Sequence, residues 1–442
     1  MHIMKLTPFF TAVATVAIVI TGARPGLAAP QPLDLHTPAA ELRVSLGRLL
    51  AEHTFLVMEQ MRAGVAPAPD IKETAIAVEA NTTELQSMIG QVYGAPAGQA
   101  FGDLWRAHIG YIVDYGLANQ KGDEAGKQRS LASLAKYRDD LSGFLAKANP
   151  NISAAAEAEV LEQHIQHFIL YSTKDYAKAY DLQRQAYAHM FSLGDGLAAA
   201  LIKQFPTTFT GEPVAFSPAS SLRVGLGRSF GEHAVLTMEA MRSRLANSPD
   251  ASAVSTSLDG NRADLASWVS QIYGAPAGAA FDALWQKHVK AYLDYVDGVA
   301  NKDTAAKQKA SDALLAGEHD LAKFLSGANP NLTEAGVDGV LAEHIRGLTG
   351  QVDAYAAQDY PKTYSLVRSA YAHMFVLGDA LATAIAQQFP NEFPTGLPNT
   401  ATRSAGAPPT IAGAMLVSLG LALLAAGAAL VARRARLLAT AD

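Results

Sequence analysis

The 442-residue chain contains no cysteine. This absence excludes disulfide bonds, thiolate metal sites, iron–sulfur clusters, covalently attached c-type haem and cysteine nucleophiles. Charged residues are sparse as well, at 17% of the sequence, and the formal net charge of -6 is spread along the chain without a basic stripe. We therefore expect no nucleic-acid partner.

Several catalytic motifs are also missing from the sequence. It has no His-Glu-x-x-His, no Glu-x-x-His of the ferritin-like di-iron type, no nucleophile elbow and no phosphate-binding loop. β-Branched residues are sparse, whereas alanine and leucine are abundant, which favours helices over strands. An enzyme is accordingly the last of the function classes that we consider.

What the chain does contain is an internal repeat. The segment LRVSLGRLLAEHTFLVMEQMR at 42–62 returns as LRVGLGRSFGEHAVLTMEAMR at 222–242, and AYAHMFSLGDGLA at 186–198 returns as AYAHMFVLGDALA at 370–382. The offset is 180 residues early in the repeat (53 to 233) and 184 late in it (189 to 373). A period this long is typical of tandem domains rather than of solenoid repeats. We predict two domains, 38–210 and 218–393.

Apolar residues keep helical spacing through each copy, and no segment shows the alternation of a strand. Proline and glycine punctuation then predicts about six helices per copy. In the first copy the predicted helices are 38–63, 70–92, 97–120, 124–147, 153–172 and 175–204. The expected fold is all-α, with two tandem helical bundles.

Both ends of the chain have the features of targeting segments. Residues 1–28 combine a basic start, a short apolar run and small residues before the cleavage point, which predicts a secretory signal peptide; an uncleaved anchor is the alternative. A linker rich in Pro, Gly, Ser and Thr at 394–410 precedes an uncharged span at 411–432 and a basic tail at 433–442. We predict export, with a C-terminal transmembrane helix, the tail in the cytoplasm and the domains outside the cell.

The linker also contains the sequence Leu-Pro-Asn-Thr-Ala at Leu397–Ala401. This motif, followed by an apolar span and a basic tail, resembles the sortase sorting signal of Gram-positive surface proteins. The resemblance covers only the last part of the chain, and Ala401 stands where the signal usually has glycine. It implies cleavage after Thr400 and attachment to the cell wall, against which a plain membrane anchor stays the alternative.

Eight of the 12 histidines occupy matched positions in the two copies. Each lies on the apolar stripe of its predicted helix, near the middle of that helix. We therefore predict that each copy brings four imidazoles into one buried layer that binds a ligand. Copper or zinc is the first candidate for this ligand and haem the second. These predicted metal-binding residues are His53, His108, His164 and His189 in the first copy, and His233, His288, His344 and His373 in the second.

Other matched residues support either a metal site or a plain core. Matched acids could orient the ligands, and thioethers would favour copper; these are Glu59/Glu239, Asp114/Asp294, Asp195/Asp379, Met58/Met238, Met61/Met241 and Met190/Met374. Alternatively, the histidines are core residues that hydrogen-bond to Tyr115/Tyr295, Tyr187/Tyr371 or Asn81/Asn261, in a structural or adhesive surface protein. We predict that Glu52/Glu232 are surface acids. We predict helix-end or salt-bridge roles for Arg62/Arg242 and Arg184/Arg368.

The pattern EHxxLxMExM, followed by YGxxAGxxFxxLWxxH and AYxHMFxxGDxLA, covers both copies. It resembles a little-characterised secreted helical domain of Gram-positive and related bacteria. Proteins with that domain sometimes carry a module similar to the copper amine oxidase N-terminal domain. The resemblance implies an exported helical protein and supplies no established activity, and none of an amine oxidase's catalytic parts can be transferred to this chain.

Overall fold

A computed structural model describes residues 34–172 and 175–394 of the chain. Within these residues it contains thirteen helices and no strand. The predicted all-α fold is therefore confirmed.

The helices form two sets of six with a short helix between them. The first set is α1 (Pro38–Val65), α2 (Ile71–Tyr93), α3 (Ala95–Lys121), α4 (Glu124–Ala148), α5 (Ala154–Tyr171) and α6 (Tyr176–Gln204). After α7 (Glu212–Ala215), the second set is α8 (Pro218–Leu245), α9 (Ala251–Tyr273), α10 (Ala275–Ala300), α11 (Thr304–Ala328), α12 (Glu334–Ala356) and α13 (Tyr360–Gln388). In the first set these bounds differ from the predicted ones by no more than two residues, as at α3, which begins at 95 rather than 97.

Local sequence explains where the helices begin and end. The Thr37 hydroxyl accepts a hydrogen bond from the backbone N–H of Ala40 at the start of α1, and Ser217 caps α8 in the same way. Between α2 and α3 the chain turns at Gly94, whose φ of 91° lies in the region that favours glycine. Gly274 has the same φ between α9 and α10.

The first and last helices of each set pack closely against each other, α1 on α6 and α8 on α13. Glycines make this close packing possible. A Cβ atom added at Gly194 would lie 2.9 Å from the backbone nitrogen of Gly47, and one at Gly378 would lie 2.7 Å from that of Gly227. These pairs of helices therefore touch backbone to backbone in both sets.

The two sets also pack against each other with approximate two-fold symmetry. Arg184 of the first set pairs with Glu232 of the second, and Arg368 of the second pairs with Glu52 of the first. The hydroxyls of the matched tyrosines 187 and 371 lie 3.3 Å apart. One apolar core extends across both sets, so the predicted division into separate domains at 38–210 and 218–393 stays a prediction.

One helix among the described residues, α13, is long and apolar enough to cross a membrane by length and composition. Most of its apolar part is buried inside the bundle, as in the core helix of a folded domain. The predicted signal peptide at 1–28, the sorting motif at Leu397–Ala401, the span at 411–432 and the tail at 433–442 lie outside the described residues.

Candidate metal centre

Three helices of the first set each supply one histidine to a common point in the core. His53 is on α1, His108 on α3 and His164 on α5, and α3 packs against both of the other helices. Each histidine lies on the apolar stripe of its helix, so packing of the stripes brings the three rings together. All three side chains are buried.

The geometry of this first triad suits a shared ligand. One ring nitrogen from each of His53, His108 and His164 lies within 4.8 Å of the other two. The Nε2 atoms of His53 and His108 are 3.2 Å apart. The ring centroid of His164 is 5.9 Å from that of His53 and 6.3 Å from that of His108.

The second set repeats the arrangement with His233 on α8, His288 on α10 and His344 on α12. Their ring nitrogens also lie within 4.8 Å of one another. The three centroid distances are 5.5, 5.6 and 5.6 Å, so this triad is nearly equilateral. Two independent packings of diverged sequence therefore hold the same constellation.

Many ring nitrogens of the triads have no hydrogen-bond partner among the described residues. These buried atoms are Nδ1 of His53, Nδ1 of His108, both nitrogens of His164, both of His233, Nε2 of His288 and both of His344. Leaving a buried polar atom without a partner costs about 1–3 kcal/mol. Such a concentration of unpartnered nitrogens at two matched points requires an explanation.

Aromatic rings surround the triads. Trp105 lies 4.7 Å from both His53 and His108, measured between ring centroids, and Tyr137 stacks on His108 at 4.4 Å. In the second set Trp285 takes the place of Trp105, at 4.9 Å from His233. Among the described residues, the groups of ligand atoms at these two points contain histidine alone.

The environment keeps the imidazoles neutral. Burial lowers the pKa of His53 well below its usual value, and the charge on His108 would lower it further. Burial likewise lowers the pKa of His108 to about 3 and that of His288 to about 4. His164 and His344 are shifted the same way, chiefly by burial. A neutral imidazole has a lone pair free for a metal ion.

The fourth predicted histidine of each set lies outside the triad. His189 on α6 has its Nε2 3.2 Å from the carbonyl oxygen of Val160, and His373 on α13 has its Nε2 2.9 Å from that of Val340. Each is thus bound to the backbone of the neighbouring helix. The structure brings three histidines per set to one point, rather than the predicted four.

The acids predicted to orient the ligands are placed elsewhere. Glu59 pairs with Arg62 at the contact between the two sets, and Asp195 pairs with Arg43. Asp294 pairs with exposed Lys290 on its own helix. For Glu59, Asp195 and Asp294 the prediction of a carboxylate behind the metal ligands is therefore wrong, because each pairs with an arginine or a lysine instead of a triad histidine.

The polar partners expected in the alternative of a plain core do not reach the triads either. Asn81 donates to the carbonyl of Leu49 and to Glu52, and Tyr187 bonds with Tyr371. Tyr295 donates to Asp353. None of these side chains supplies a hydrogen bond to a histidine of a triad.

A small apolar cavity lies against the tryptophan beside each triad. The cavity beside Trp105 has a volume of about 40 Å³ and the one beside Trp285 about 50 Å³. Leu46 and Leu226, at matched positions, line them. Both are far smaller than the ~300 Å³ and above of typical cofactor pockets.

Sequence reasoning missed two residues near the first triad. Tyr137, which stacks on His108, has no tyrosine at its matched position, where Gly317 stands. His167 is not among the eight matched histidines, because Gly347 stands at its matched position, yet its ring lies 5.5 Å from that of His189. The signal for His167 was its position one helical turn after His164 on the same face of α5.

No family model matches the chain, and the comparisons with curated proteins and with solved structures found no match either. The resemblance to a secreted bacterial domain and to a sorting signal therefore stays a prediction from the sequence.

Proposed function

We propose that each set of helices binds one transition-metal ion, copper or zinc, through its histidine triad. The observation that supports this most directly is the meeting of three buried, neutral imidazoles, most of whose nitrogens have no hydrogen-bond partner among the described residues. A metal ion would satisfy one nitrogen of every ring at once. The same arrangement in the second set makes a chance meeting of core histidines a poor explanation.

The distances between the ring nitrogens are close to those that a tetrahedral metal ion requires. With metal–nitrogen bonds of about 2.0–2.1 Å, tetrahedral ligands are separated by about 3.3 Å. The Nε2 atoms of His53 and His108 are already 3.2 Å apart. The third nitrogen lies within 4.8 Å of both, so a rotation of the His164 ring would bring it into reach. Three protein ligands leave the fourth position of a tetrahedron open.

Haem is not supported by this geometry. The triad rings are in mutual contact at centroid distances of 5.1–6.3 Å, and the adjoining cavities hold only about 40–50 Å³. A porphyrin would have to separate the helices that carry the histidines. An ion needs no such rearrangement.

We further propose that binding takes place outside the cell, on a protein held at the membrane or the cell wall. The support is the sequence alone: the predicted signal peptide at 1–28, the span at 411–432 and the sorting motif at Leu397–Ala401. Protease accessibility on intact cells tests the orientation. A Thr400→Ala change tests the sorting motif, since it should leave a sortase substrate in the membrane fraction.

The metal proposal is tested with chain that has been stripped by a chelator, loaded separately with Cu²⁺ or Zn²⁺, dialysed and measured by elemental mass spectrometry. Changing all three residues of one triad to Asn should remove one ion per chain. The matched control is the pair His36→Asn and His319→Asn, because both side chains are more than half exposed, at 52% and 65%. Circular dichroism checks that each variant keeps its helices.

The outcome that overturns the proposal is a chain that stays metal-free after both loadings. The histidines would then be core residues of a structural or adhesive surface protein, with trapped water on their ring nitrogens.

A further inference from the structure

Beside the first triad lies a second pair of histidines that the triad does not include. His167 is on α5, one turn after His164, and His189 is on the adjacent helix α6. The centroids of the two rings are 5.5 Å apart. Both side chains are partly exposed, whereas His164 is buried.

Each ring of this pair has a nitrogen available to a ligand. Because a carbonyl oxygen only accepts, the contact between His189 Nε2 and the oxygen of Val160 places the hydrogen on Nε2. In the neutral ring, Nδ1 then carries a lone pair. Nδ1 of His167 is buried and has no hydrogen-bond partner among the described residues.

The second set lacks this pair. Gly347 stands at the position that matches His167, so His373 has no counterpart of that imidazole. The Nδ1 of His373 instead lies 3.9 Å from a carboxylate oxygen of Glu343. The two sets therefore share the buried triad and differ in this second pair of histidines.

Building on the proposed function, we infer that His167 and His189 form an outer two-histidine site that binds the ion on its way to the first triad. A buried triad needs a route from solvent, and these two partly exposed rings are on the helix of His164 and on the helix packed against it. They are close enough to His164 that a charge on either would act on it. The second triad has no such site and loads without it.

Trp105 reports on loading of the first triad, since its ring lies 4.7 Å from those of His53 and His108. The chain has three tryptophans, at positions 105, 268 and 285. In a Trp268→Phe, Trp285→Phe background, quenching of Trp105 by Cu²⁺ in a stopped-flow mixer follows this triad alone. With His167→Gly, which reproduces the second set, we expect quenching about tenfold slower, because the outer site no longer concentrates the ion.

The reverse change supplies the gain-of-function arm. A Cβ atom at Gly347 would meet only the Cβ of Ala370, at 3.6 Å, which is ordinary van der Waals contact. In a Trp105→Phe background, Gly347→His should speed quenching of Trp285 and add one weakly held Zn²⁺ in equilibrium dialysis. His167→Gln covers the case in which glycine disturbs α5, and it should slow loading of the first triad as His167→Gly does.

The outcomes separate the two proposals. Slower loading without His167, with the final occupancy of the triad unchanged, supports the outer site. Unchanged loading rates and unchanged Zn²⁺ stoichiometry in the His167 variants overturn it and leave the triads as metal sites. A chain in which neither triad takes up Cu²⁺ or Zn²⁺ overturns both.

Discussion

The Nε2 atoms of His53 and His108, two residues 55 positions apart in sequence, face each other at 3.2 Å in the core of the first set. At most one hydrogen can lie between two neutral rings placed this way. In the second set His233 lacks even this contact, since neither of its nitrogens has a partner among the described residues. A bare triad should therefore be a source of instability that a bound ion relieves.

The first prediction concerns His233→Leu, which replaces a buried ring without hydrogen bonds by an apolar side chain of similar size. In chelator-treated protein we expect this variant to unfold at the same temperature as the parent or higher, since about 1–3 kcal/mol of unsatisfied polar burial is removed. With Zn²⁺ or Cu²⁺ added, the parent should gain more thermal stability than the variant. Differential scanning calorimetry gives both comparisons.

The matched control is His53→Leu, which breaks the contact with His108. Without metal, this variant should be less thermally stable than His233→Leu. A His233→Leu variant that loses several kcal/mol of stability without metal would contradict the prediction, because it would show that His233 makes hydrogen bonds in solution.

The second prediction is that the metal-free protein loses stability as the pH falls below about 6.5. Burial holds the pKa of His108 at about 3 and that of His288 at about 4, below the 6.5 of the unfolded chain. Between these values the unfolded state binds protons that the folded state does not. The free energy of unfolding therefore decreases as the pH decreases. Above 6.5 the contribution is fully present.

Urea unfolding between pH 4.5 and 8 measures this slope. His288→Asn should reduce it by about 1.4 kcal/mol per pH unit, the value for one proton. His319→Asn is the control, because that side chain is exposed. A slope that His288→Asn leaves unchanged would contradict the assignment of a buried, neutral imidazole.

Much of the helical framework could be predicted, because its signals are local. Gly94 and Ser153 mark helix ends through backbone conformation and capping, and neither depends on a distant residue. The inward position of the histidines followed from helical spacing in the same way. Which of four inward rings would meet could not be predicted, since it depends on how each helix is rotated against its neighbour. That rotation takes the ring of His189 to the carbonyl of Val160.

The contact between the two sets of helices could not be predicted from the sequence. Glu52 was predicted to be a surface acid, yet it is buried, because Arg368 reaches it from the other set at 2.9 Å. The two residues are 316 positions apart, and no periodic pattern relates them. The predicted salt-bridge role of Arg184 and Arg368 is confirmed, whereas the identity of their partners came only from the packing.

The third prediction follows from this contact. Arg368→Ala leaves the carboxylate of Glu52, whose side chain is 1% exposed, without its cation and should cost about 3–5 kcal/mol. Arg184→Ala should cost less, because the side chain of Glu232 is 13% exposed and water can reach it. Chemical denaturation of the two variants gives the comparison.

The exposed pair of Lys136 and Asp140 is the control, and Lys136→Ala should change the stability by less than about 0.5 kcal/mol. Equal, small losses in both arginine variants would show that the two sets do not pack as described.

The fourth prediction concerns Glu239, which is buried at the contact between the sets. Burial raises the pKa of its carboxyl well above the usual value, and the negative charge of Glu59 adds to this, so the folded protein keeps a proton that the unfolded chain releases above about pH 4.5. This group therefore lowers stability as the pH rises. Glu239→Gln removes that loss and keeps an oxygen for the 2.5 Å hydrogen bond donated by Gln183.

We expect Glu239→Gln to match the parent at pH 4.5 and to be more stable than it at pH 8, as measured by urea unfolding at both values. Glu59→Gln is the matched comparison and should destabilise at pH 8, because Glu59 accepts from Arg62 at 3.0 Å and lies 3.5 Å from Arg242. If Glu239→Gln were instead less stable at pH 8, the carboxylate would be ionised in the folded protein. Arg62 and Arg242 would then form ion pairs with the carboxylates of both Glu59 and Glu239.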